Sequence, residues 1–519
     1  MQCFENGVFV SCEDENRVFS VLVEDGGRIL FTGDEVPGMY RDVPSRVDLG
    51  GACAVPAFGD THLHFASYAL FQATLDVRDA RNFSELGEAV RAYGEANPRE
   101  KVILAFGSSA HTVEERRLPN RRDLDTVTSR PLLIVKYDGH AAMANSALLA
   151  KLPPAVARRP GFEGEDGWLF QEAFYEGVNA ITKSVSPLQL FRNLIGGNDA
   201  LAEKGIGFAH TSEGVGFPLD LDVDLMRLAA RGLPLDYTVF FQTLEVKKAL
   251  RRKLPRIGGC FATALDGCFG SEDAALREPY SNGTGNRGVL FYDQDRVDAF
   301  VREANRAGLQ VALHAIGDAA VEQAVHAFEA ALADFPRTDH RHIVIHADLI
   351  PEPLLDRAAR LGLCLAVQPA FLDWKQEPME YLERILGDRA DSLIPLKSML
   401  DRGLTVAAGS DAPCTLPDPM AGIHAACNHP NPAERVSVLD ALRMHTSRAA
   451  RLSFDEEKRG TLTEGKLADF ALLGANLLET PAERLRDIGV TGLYLRGKPF
   501  ERKIRGPLDL LLGALGGKG

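Results

Sequence analysis

The sequence predicts an α/β fold: a (β/α)8 TIM-type barrel with a small composite β domain from both termini and a large insertion after the first barrel strand. Three observations predict it. In the middle of the chain, apolar runs of four to eight residues alternate with amphipathic stretches, the pattern of parallel strands covered by helices on both faces. The runs number eight, the count that closes a barrel. Short strand-like segments stand at both ends of the chain, and the termini of a domain often lie close together.

In chain order, residues 6–10, 18–24 and 28–32 read as short strands, the last two joined by a turn at Asp25-Gly26-Gly27. The eight barrel runs are 52–58, 205–210, 235–241, 257–265, 309–314, 342–346, 361–368 and 404–410. Residues 221–231, 244–254, 295–307, 319–332, 352–360 and 396–402 fit the intervening helices. Residues 68–204 are too long for one βα unit and read as an insertion at the barrel mouth. Strand texture returns at 465–473 and 490–495. The expected division is 1–54 with 455–505 as the β domain, 55–454 as the barrel with its insertion, and 506–519 as a tail.

Composition narrows the function. With 45% hydrophobic and 25% charged residues, the 519-residue chain is a globular protein, not a disordered one. A net charge of −14 makes a poor surface for nucleic acid or anionic membrane. No apolar run reaches the ~18–20 residues of a membrane span, and the N-terminus has no basic stretch of the signal-peptide kind. The eight cysteines are scattered without a CxxC pair, which suits buried free thiols and a cytoplasmic protein. A small-molecule partner is expected, and a homo-oligomer is left open.

The chemistry lies in where His and Asp fall. His62-Leu63-His64 ends the first strand, so both imidazoles project to one face. His314 ends the fifth strand, His346 the sixth, and Asp411 follows the eighth. Barrel enzymes draw their site from the C-terminal ends of several strands. Four imidazoles and a carboxylate converging there suit a divalent metal, Zn²⁺ above others. His140 is expected to reach the pocket from the insertion, His210 to line its floor, and Gln368 to line it from the seventh strand.

These residues sit in segments that resemble the amidohydrolase superfamily, in the branch that includes N-substituted formamide deformylase. The segments are Pro56 to His64, Tyr137 to His140 with Asn145, and His314 to Asp318. They continue through Ile345-His346-Ala347, Val367-Gln368-Pro369, Gly409 to Pro413 and Gly460 to Asp469, in family order. The resemblance implies a metal-dependent hydrolase of C–N bonds in amides or cyclic amides. His62, His64, His314, His346 and Asp411 match the family's ligands, and Asp411 matches its general acid/base. The same site chemistry would serve an ester or lactone hydrolase, and a scaffold that has lost turnover is the third reading.

One departure stands out. The branch carries a Lys on the fourth strand, carbamylated to bridge two metals, yet no Lys occurs between Leu254 and Trp374. Phe261 and Ala262 stand where it would be. A bridged pair needs an anion between the ions, so one ion is favoured over two. If two are bound, Glu172 is the first candidate bridge, Asp266 the second and Lys136 the third.

Overall fold

Eight parallel strands form the central sheet of the computed structural model, which describes residues 1–182, 186–215 and 218–516. They are β1 (Phe58–Leu63), β2 (Ile206–Glu213), β3 (Asp236–Phe241), β4 (Arg256–Ala264), β5 (Gln310–Ala315), β6 (Ile343–His346), β7 (Cys364–Val367) and β8 (Thr405–Ala408). Each pairs with the next in sequence order. The ring is drawn together at its C-terminal end. There the Ser410 amide donates to Asp60 Oδ1 at 3.0 Å, and the Asp411 amide to the His62 carbonyl at 2.7 Å.

The strands are apolar because both their faces are covered. Phe208, Phe240, Ala312, Ile345, Ala366 and Ala407 fill the barrel interior. Outside, helices such as Gln294–Arg306 turn Val297, Phe300, Val301 and Ala304 onto the sheet and leave charge on the other face.

The apolar run at 52–58 does not form one strand. Cys53–Pro56 pairs with Val8–Val10 and Phe470–Leu473. The chain changes sheets at Ala57, whose amide still bonds to Asp469 while that of Phe58 bonds to Gly205. Barrel strand β1 therefore starts at Phe58 and itself carries His62. Segments from the two chain ends share one six-stranded sheet, and Phe4, from the strand Gln2–Glu5 of a separate four-stranded sheet, packs on its Phe470 and Tyr494.

The insertion folds around a second six-stranded sheet, from Leu75–Asp76 at one edge to Phe162–Glu163 at the other. Its helix Gln171–Thr182 and the turn at Asp138–His140 contribute side chains to the cavities described below. Near the C-terminus, helix Pro507–Gly516 packs on helices Pro187–Glu203 and Leu221–Ala229. Among the described residues no helix is long and apolar enough to cross a membrane.

Candidate metal centre

Four imidazoles and one carboxylate meet at the C-terminal ends of β1, β5, β6 and β8. Leu63 turns into the core, so His62 and His64 share a face, with ring centroids 5.2 Å apart. Their Nε2 atoms stand 3.2 and 3.4 Å from Asp411 Oδ1. His346 lies 5.4 Å from His62 and 4.5 Å from His314, centroid to centroid. Asp411 and His346 both adopt left-handed backbone, with φ of 55° and 69°. Such strain collects at functional sites, where the surroundings hold it in place.

Three rings are aimed by an oxygen behind them. His64 Nδ1 faces the Ser212 carbonyl at 3.3 Å, His314 Nε2 the Gly267 carbonyl at 3.3 Å, and His346 Nδ1 the Gln368 Oε1 at 2.6 Å. An oxygen acceptor fixes the proton on that nitrogen and leaves the opposite lone pair free, as metal-binding histidines require. Burial also keeps His62, His314 and His346 neutral. It lowers His62, takes His346 to about 3, and holds His314 well below the usual range. For Asp411, burial works against the charge, but the His62 and His64 rings beside it hold the carboxyl well below the usual range. Neutral imidazoles and an ionised carboxylate are the donor states a divalent cation takes.

A fifth strand end joins them. Cys260 of β4 places its Sγ 2.9 Å from His314 Nδ1, 3.6 Å from His62 Nε2 and 3.7 Å from His346 Nε2. Burial, with the Asp411 charge added, pushes its thiol well up. Sequence reasoning missed this residue because β4 breaks register with β5 between Gly259 and Ala264. A bulge of this kind re-aims a side chain. Two glycines permit it: at φ 104° and 132°, a Cβ on Gly258 would lie 1.9 Å from the Ala312 carbonyl oxygen, and one on Gly259 2.6 Å from Ser212 Oγ. The paired glycines ahead of Cys260 were the available signal.

The model of the amidohydrolase family matches residues 46–500. The chain belongs to the amidohydrolase family. It is 27% identical to YtcJ of Bacillus subtilis (strain 168), over 95% of this chain and 97% of that one. It is 23% identical to N-substituted formamide deformylase of Arthrobacter pascens, covering 93% and 95%. A crystal structure of a metal-dependent hydrolase from Pyrococcus furiosus superposes with a TM-score of 0.74 at 25% identity, over 92% of this chain and all of the other. This amidohydrolase is thus a metal-dependent hydrolase.

Other residues foreseen in the sequence fall in three groups. His140, half-buried, lines the pocket beside Phe261. Gln368 and His210 do not. Gln368 is fully buried behind His346 and orients that ring. His210 lies between Phe208 and Phe240, beneath the site, because β2 runs on to Glu213 and brings Ser212 to the level expected for His210. The candidate bridges make other contacts, although Asp266 Oδ1 also stands 3.5 Å from His314 Nε2. Glu172 has a side chain 60% exposed on an outer cavity, paired with Arg159 at 3.2 Å. Asp266 spends its oxygens on the amides of Ala275, Ile316 and Gly317. Lys136 is paired with Asp138 at 2.7 Å.

Two cavities that share His64, Phe261 and Cys414 in their walls lie at the centre. The metal pocket is walled by Asp138, Asp348, Phe371, Trp374 and Glu377. Despite burial, Lys136 and His140 bring Asp138 down to about 2, whereas burial raises Glu377 to about 7 beside the Tyr137 hydroxyl. The side cavity is apolar, walled by Phe71, Phe106, Val135, Phe174, Tyr175 and Val178.

Proposed function

We propose that this amidohydrolase cleaves a C–N bond of a small-molecule amide or cyclic amide, with Zn²⁺ as its metal and the cytoplasm as its compartment. The observation that carries the reading is the convergence of aimed, neutral imidazole nitrogens on an ionised Asp411. Donors of N and O type at that spacing suit Zn²⁺. A relative named as an N-substituted formamide deformylase supports the C–N bond. Eight buried free cysteines support a reducing compartment.

His62, His64, His314, His346 and Asp411 would hold the metal. The bound ion would supply Lewis acidity, making water nucleophilic near neutral pH and polarising the scissile carbonyl. Asp411 stays ionised across the physiological range, so its carboxylate can take the proton of the attacking water and return it to the leaving nitrogen. His140, on the wall of the pocket, is placed to donate to the substrate carbonyl side. The apolar side cavity receives a hydrocarbon or aryl substituent.

Metal analysis of the purified protein with a panel of N-substituted amides, cyclic amides, esters and lactones tests this. Bound zinc, loss of turnover on chelation and preference for amides are expected. Preference for esters or lactones overturns the C–N assignment, and a metal-loaded protein inert on the whole panel overturns the enzyme reading.

A further inference from the structure

The family's bridge is missing from the fourth strand, yet the structure puts another anion-forming group in the gap. Cys260 Sγ reaches both halves of the ligand set, His62 from β1 and His314 and His346 from β5 and β6. Two donors on one tetrahedral Zn²⁺, with bonds of ~2.3 Å to sulfur and ~2.0 Å to nitrogen, stand ~3.5 Å apart. The separations of 3.6 Å to His62 Nε2 and 3.7 Å to His346 Nε2 have that size, while the 2.9 Å contact to His314 Nδ1 is a thiol hydrogen-bond distance that would open as both atoms bind one ion. Asp411 and Cys260 also offer ligand atoms within one 4.8 Å cluster with those two histidines.

The bridges expected from the sequence are engaged in other contacts. Asp266 accepts three backbone amides, Lys136 is held by Asp138, and Glu172 faces solvent against Arg159. Cys260 is 6% exposed and has no other role in view: the Gly258-Gly259 bulge that turns it inward costs β4 its regular pairing. Two cations ~3.5–4 Å apart repel and need a shared anion.

We propose that the Cys260 thiolate replaces the carbamylated lysine and bridges two metal ions, one held by His62, His64 and Asp411, the other by His314 and His346. The thiol proton leaves to solvent as the metal binds. A thiolate bridge also selects zinc or cobalt over magnesium and manganese. This inference rests on the metal-dependent reading above.

The test is X-ray absorption and metal counting on the zinc-loaded protein, with the near-ultraviolet spectrum of the cobalt(II)-substituted form. A sulfur shell at ~2.3 Å, a thiolate-to-cobalt charge-transfer band and two ions per chain are expected. Cys260→Ala should lose the sulfur shell and the band and keep at most half of the metal. A nitrogen/oxygen-only shell in the wild type, or a single sulfur-bound ion, overturns the bridge while leaving the hydrolase reading intact. A protein that takes up no metal overturns both. The wild-type spectra decide the question even if the variant does not fold.

Discussion

The metal pocket and the side cavity meet at His64, Phe261 and Cys414, and both bury carboxylates, yet they ionise them oppositely. In the metal pocket, Asp411 stays charged because the His62 and His64 rings outweigh the cost of burial. In the side cavity, burial and the nearby Asp222 raise Glu213 to about 8, so it is protonated at neutral pH. The same desolvation acts on both, and the partners decide the outcome. One cavity gathers imidazole nitrogens around an ionised carboxylate. The other keeps even its carboxyl neutral and offers apolar surface. On the proposed function, chemistry belongs to the barrel strand ends and substrate fit largely to the insertion, which supplies Phe71, Phe106, Val135, Phe174, Tyr175 and Val178.

The sharpest way to break this division is to neutralise the charged member. Asp411→Asn should lower kcat by ~10²–10⁴, the scale of a lost general acid/base, with little change in thermal stability. Steady-state kinetics beside a melting curve check it. Turnover near wild type would mean that another residue carries the proton.

Next in size is the support behind the metal pocket. Gln368→Ala removes the acceptor that fixes the proton on His346 Nδ1. Metal affinity should fall ~10–100-fold, read by competition with a chromogenic chelator. An unchanged affinity would mean that the ring needs no such orientation.

The difference between the two cavities also explains what the sequence disclosed. Strand-end histidines were legible because β-strand alternation and the barrel rule act locally, so His62, His64, His314, His346 and Asp411 could be placed together. Cys260 was not, because a bulge breaks the alternation on which such counting depends. His210 was misplaced by a strand end three residues further on. The run at 52–58 hid a change of sheet, since apolar residues serve either sheet equally well. Glu172 and Glu213 look alike as letters, and only packing exposes one and buries the other. The side cavity depends on the insertion's tertiary path, which no short-range pattern encodes.

A smaller effect is expected on the apolar side. Tyr175 packs edge-on against Phe261 at 5.6 Å and faces the side cavity. Tyr175→Ala should raise KM roughly tenfold for substrates with a bulky apolar group, the scale of lost hydrophobic pocket contacts. Small substrates should be little affected, and metal content should not change. An equal loss for all substrates, or loss of metal, would show that the two cavities are not separable.

The last expected effect concerns Glu213 and is one of pH. Its Oε1 accepts the Ala66 amide at 3.0 Å and the Thr211 hydroxyl at 2.6 Å. Burial and the Asp222 charge raise its pKa from 4.5 to about 8 on folding. Below 4.5 both folded and unfolded chains hold this proton, so the group costs nothing. Between the two values only the folded chain holds it. Stability therefore falls as pH rises, and the cost is complete once pH passes about 8. Asp222, raised to about 6, acts with the same sign over a lower range. Glu213→Gln keeps the accepting oxygen and stays neutral at every pH. The variant should match the wild type in denaturation midpoint near about pH 5 and exceed it near about pH 9. Parallel profiles across that span would mean that Glu213 is ionised in the folded protein. The side cavity would then carry a charge, and the contrast between the two cavities would fail.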